Sequence, residues 1–84
     1  MRKEIKWFAS EMEKVLARND YKGGWKFEDY DYLFDRLHDE WIELRKELRR
    51  KNKSNENILK ECVDIANFSM MIADIMIPNK AKLT

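Results

Sequence analysis

Glu61 and Asp64 stand one helical turn apart, and their neighbours Ile65, Phe68 and Ile72 are apolar. At 100° per residue both carboxylates fall inside the apolar arc of a helix, which predicts that they are substantially withdrawn from water. A carboxylate so placed is costly unless a basic partner, a hydrogen-bond network or a metal ion compensates it. No Arg or Lys lies on that arc. Glu40 and Glu43 form a second pair one turn apart, beside the apolar stripe of the preceding segment, with Glu47 in the same narrow arc. Taken alone, this second pair reads as ordinary solvated acids flanking a stripe. On antiparallel neighbouring helices the two pairs can bring up to four carboxylates to one point. That is an oxygen donor set of the kind Mg²⁺ takes, with Mn²⁺ as a possible substitute. Calcium is the weaker expectation, because no aspartate-rich calcium loop is present.

The elements that must position these groups are helices. Gly23-Gly24 and Pro78 fall where apolar periodicity stops, and the pattern predicts helices over 2–18, 28–51 and 56–77 of a single domain spanning 1–84. The first carries Ile5, Phe8, Ala9, Met12, Val15 and Leu16 on one face. The second carries a stripe of Tyr30, Leu33, Phe34, Leu37, Trp41, Leu44 and Leu48, and Ser54 is placed to cap the third. That third helix is apolar almost all round, with only Lys60, Asn67 and Asp74 forming a polar stripe. Two other helices of one short chain can hardly cover it. The expectation is therefore an all-α, three-helix protomer completing four-helix bundles by oligomerisation. The tail after Pro78 is expected to be loose.

Composition narrows the function. The chain has 84 residues and a formal charge of +1 from 17 basic and 16 acidic side chains, so it lacks the electrostatic footprint of a nucleic-acid or anionic-membrane binder. The basic run from Arg45 to Lys53 reads as the solvated carboxyl end of a helix. No apolar run reaches the ~20 residues needed to cross a bilayer. One cysteine, Cys62, and a charged amino-terminal stretch point to a reducing, cytoplasmic setting. Met70, Met71 and Met76 read as core or interface filler, and Trp7 as an exposed aromatic or a subunit contact.

The segments Glu40-Trp41-Ile42-Glu43 and Glu61-Cys62-Val63-Asp64 together spell E-x-x-E followed by E-x-x-D. In this the chain resembles the MazG-like all-α nucleoside triphosphate pyrophosphohydrolases. Asp39 stands where many relatives have another Glu, and Asn19–Trp25 and Asp64–Phe68 also look like segments of small members. The resemblance implies hydrolysis of (d)NTPs to monophosphate and pyrophosphate with Mg²⁺ by dimers or tetramers of helical bundles. It implies metal ligation by Glu40, Glu43, Glu61 and Asp64, with Glu40 or Glu43 orienting or deprotonating the attacking water.

Three more residues are candidates for substrate contact. Lys22, beside two glycines, can reach phosphate, though a plain turn is an equally good reading. Trp25 can stack on a base or close a core. Asn67, on the polar stripe beside Asp64, can hydrogen-bond base or sugar. Two other readings compete. Asp35 and His38 have the spacing of a di-iron carboxylate-histidine pair, but on a helical wheel they lie on the far side from Glu40 and Glu43. A non-enzymatic oligomerisation or regulatory bundle, with its acids salt-bridged across subunits, is the alternative to an enzyme.

Overall fold

A computed structural model describes residues 1–83, which form three α-helices and, among the described residues, no strand. They are α1 (Lys3–Arg18), α2 (Tyr30–Leu48) and α3 (Asn55–Met76), with single 3₁₀ turns at Asp20–Lys22 and Lys80–Leu83. None of the helices is long and apolar enough to cross a membrane.

Local chemistry sets the boundaries. Asp29 caps α2 by accepting from the Asp31 N–H at 2.9 Å, and so α2 begins two residues later than the acidic run suggests. At its other end Arg49 N–H donates to the carbonyls of both Arg45 and Lys46, the tightening that closes a helix. Ser54 Oγ accepts from Asn57 N–H at 3.1 Å and starts α3. Gly23 and Gly24 take φ of 99° and 76°, a left-handed region that side chains disfavour, and they turn the chain from α1 towards α2. The tail is more ordered than its sequence suggests: Lys80 Nζ donates to the Ile77 carbonyl at 3.1 Å and pairs with Asp74 at 2.7 Å, folding the chain back onto the end of α3.

The helices α2 and α3 form an antiparallel hairpin, and α1 packs against α3 but not against α2. With α1 and α2 on separate flanks of α3, the strip of α3 between them forms the floor of a cleft.

On the opposite side the hairpin is bare. Tyr30, Phe34, Trp41 and Leu48 of α2 are exposed there, as are Ser69, Ala73 and Met76 of α3. Among the described residues only Leu33 and Val63 are fully buried apolar side chains, and α1 buries none. The accessible surface is 6865 Å², whereas a folded monomer of this mass exposes about 5,400 Å². The radius of gyration is 14.2 Å, against about 12 Å for a globular chain of this length. One copy leaves uncovered much of the apolar surface that its sequence pattern marks for burial.

Candidate metal centre

Midway along the hairpin, α2 contributes Glu40 and α3 contributes Glu61 and Asp64, each offering one carboxylate oxygen within 4.8 Å of the others. The three-residue spacing on α3 puts Glu61 and Asp64 on the same side, and the antiparallel approach of α2 sets Glu40 opposite them. Glu40 and Glu61 are buried, and Asp64 is half-buried. Three acids share a space that water reaches poorly.

Basic partners are closer than the wheel suggests. Lys60 Nζ lies 3.0 Å from Asp64 Oδ2 and 3.3 Å from Glu61 Oε1, and Arg36 Nη2 lies 3.5 Å from Glu40 Oε1. The expectation that no cation serves the arc is corrected here: Lys60 sits on the polar stripe, but its four-carbon stem bends round to reach both acids. The compensation is incomplete. Lys60, mostly exposed, and Arg36, partly exposed, face three acids, and Glu61, only 8% exposed, keeps a buried Oε2 that no basic side chain or backbone N–H reaches.

The strain registers electrostatically. The Glu40 carboxyl is pushed up to about 7, first by burial, then by its hydrogen bond with Glu61 and by the charges of Glu61 and Asp64, with Lys60 pulling the other way. Lys60 is raised, chiefly by its hydrogen bond to Asp64. Since Glu40 holds its proton more tightly folded than unfolded, raising the pH from about 4.5 through 7 removes a proton that the folded state prefers to keep. The metal-free protein should therefore lose stability across that window, and a divalent cation should restore it. Thermal melts in chelator and in Mg²⁺ at pH 5, 6, 7 and 8 test this; a chelated melting temperature that climbs over the same range would contradict it.

Glu43, the fourth expected ligand, is not joined to the cluster. It stands one turn beyond Glu40, half exposed, with Lys46 Nζ 3.4 Å from its Oε1.

The cluster opens onto the cleft, which has a volume of about 380 Å³. Glu40 and Asp64 line it, with Asn67, Phe68 and Met71 of α3 as its floor and Lys22, Gly24, Trp25, Tyr32 and Arg36 in its walls. Asn67 is 3% exposed. Its Nδ2 donates to the Met12 carbonyl at 3.4 Å, and because a carbonyl only accepts, that contact fixes the amide orientation. Oδ1 is thereby left buried without a donor. The atom is covered, so a ligand N–H or O–H would reach it only after a shift of the Asn67 side chain or of α1.

Trp25 is held by its edge. Its Nε1 donates to Asp74 Oδ2 at 2.9 Å, Lys26 pairs with the same oxygen, and Lys80 pairs with Oδ1. Lys26, Lys80 and Trp25 together hold the Asp74 carboxyl well below the usual carboxylate range. This clasp ties the glycine turn to the end of α3 and fixes one wall of the cleft. Lys22 reaches that wall with its ammonium 5.7 Å from the Tyr21 ring.

Sequence reasoning passed over Arg36 and Lys60. The signal for Arg36 was its place one turn before Glu40; its guanidinium also lies 5.6 Å from the Phe68 ring. His38 stacks on Trp41 at 5.9 Å, and neither it nor Asp35 is among the acids that converge. Comparison of the chain with known protein families, with curated proteins and with solved structures finds no match.

Proposed function

We propose that this protein is a Mg²⁺-dependent nucleoside triphosphate pyrophosphohydrolase, converting (d)NTPs to (d)NMPs and pyrophosphate. The observation that carries the reading is the buried group of Glu40, Glu61 and Asp64, with an orphaned Glu61 oxygen, opening onto a cleft whose floor holds a second orphaned acceptor on Asn67. All-oxygen ligation and an excess of negative charge fit Mg²⁺, or Mn²⁺ in its place. When bound, the ion supplies charge neutralisation for the triphosphate and the departing pyrophosphate. The family resemblance of E-x-x-E and E-x-x-D supplies the choice of reaction.

The chain's own residues then divide the work. Glu40, Glu61 and Asp64 hold the ion, and Glu43, one turn away, either completes the ligand set or orients the attacking water; Glu40 is the other candidate base. Lys22 and Arg36 face the triphosphate from two walls. Trp25, its N–H occupied by Asp74, offers its ring face to a base, and Asn67, with a side-chain shift that uncovers its buried Oδ1, accepts from base or sugar. A cleft of this volume lies within the range of small-molecule sites.

The bare face of the hairpin supports a homo-oligomer. The surface in excess of a monomer's is about 1,500 Å² per chain, so pairing two copies would bury about 3,000 Å² in all, the scale of an obligate homodimer. Two hairpins meeting on that face make a four-helix bundle, and two such dimers a tetramer. Cys62, a lone and partly covered thiol, suits the cytoplasm.

Incubating the protein and Mg²⁺ with each NTP and dNTP, then separating monophosphate plus pyrophosphate from diphosphate plus phosphate, tests the reading. Monophosphate and pyrophosphate are the expected products; turnover of no nucleotide would sink it. A non-enzymatic bundle is the second reading, favoured by the pairing of Lys60 and Arg36 with the acids. It predicts that Mg²⁺ leaves the melting temperature unchanged, whereas an ion at 100 times its Kd stabilises a folded site by about 2.7 kcal/mol.

A further inference from the structure

Among the described residues, Lys60 is the one cation that touches two members of the acidic triangle. Its ammonium reaches Asp64 Oδ2 at 3.0 Å and Glu61 Oε1 at 3.3 Å, bridging two of the three acids that each offer an oxygen to the group. The fit is that of a substitute. A single positive charge cannot neutralise three carboxylates, and the buried Glu61 Oε2 still lacks a donor. The side chain is also 62% exposed, so its stem can swing into solvent without disturbing the core.

Resting on the metal reading above, we propose that Lys60 is an internal stand-in for the divalent cation. It holds Glu61 and Asp64 together in the ion-free protein and must withdraw when the ion enters. Lys60 is then a positioning residue that sets metal affinity by competition. The opposite arrangement, in which Lys60 orders the ligands for the ion, predicts that its loss weakens binding. A merely structural surface pair predicts no change.

The test is Mn²⁺ titration by isothermal calorimetry at pH 8 on the full chain, for wild type, Lys60→Met and Lys60→Arg, with melting curves in chelator and in Mn²⁺. Exposed ion pairs each shift an equilibrium by up to about fivefold, so losing two should tighten Mn²⁺ binding roughly 3- to 30-fold in Lys60→Met. The chelated melting temperature of that variant should fall and its rise on adding Mn²⁺ should exceed that of wild type. Lys60→Arg, which keeps the competitor, should stay within about threefold of wild type. Wild-type binding with Lys60→Met equal or weaker overturns this inference alone. No Mn²⁺ binding by any of the three proteins overturns the metal reading and this inference together.

Discussion

Glu61→Gln is expected to abolish the Mg²⁺- and Mn²⁺-induced rise in melting temperature and to lower nucleotide turnover by ~100-fold or more, since even second-shell changes at metal sites cost 10- to 100-fold. The substitution keeps the shape of the side chain and removes its charge. Glu61 is the best covered of the three acids, the partner that adds to burial in pushing the Glu40 carboxyl up to about 7, and the owner of the orphaned oxygen. Removing its charge relieves repulsion in the metal-free protein, so the chelated melting temperature should hold or rise while the response to the ion disappears. A structural bundle predicts the reverse, because losing the Lys60 contact would lower stability and there would be no response to lose. Melting curves with and without ions, alongside the nucleotide assay, separate the two. A variant that still gains stability from Mg²⁺ would remove Glu61 from the site.

Ser69→Arg should convert an oligomer to monomers and sharply destabilise the fold. Ser69 is exposed on the single chain, on the same bare face as Ala73 and Met76. If one chain were the folded unit, an exposed substitution there would change stability by less than about 0.5 kcal/mol. If a second copy covers that face, an arginine is forced between closely packed helices without a partner, at a cost of about 3 kcal/mol or more. Sedimentation and melting over a hundredfold range of concentration give the readout. The wild type should melt at higher temperature as its concentration rises. A wild-type melting temperature independent of concentration, with Ser69→Arg unchanged, would leave the protein a monomer.

Much of this molecule is legible in local chemistry. The helices follow from 3.6-residue periodicity and from short-range signals: Ser54 as a cap, the turn at Gly23 and Gly24, and Pro78 beyond the last turn, whereas the capping role of Asp29 emerges only from the structure. The burial of Glu61 is legible for the same reason, since an apolar arc follows from angle alone. The reach of long side chains is not. Lys60 lies outside the arc on a wheel and against two of the acids in space, because the stem of a lysine spans about a helical turn. The tail ordered by Lys80 and Asp74 and the clasp on Trp25 are invisible for a related reason: their partners are far apart in sequence or beyond the last helix.

The four carboxylates show where the division falls. Sequence by itself determined that each pair would share a helix face and that Glu61 and Asp64 would sit among apolar neighbours, because both are properties of one helix. Only tertiary structure decided that Glu40 joins them while Glu43 turns to Lys46, and that Asn67 is left with an unsatisfied oxygen on a cleft floor. Those outcomes depend on the rotation of α2 against α3 and on α1 packing on one flank of α3. Side chains from three helices set that packing together, and no single segment encodes it.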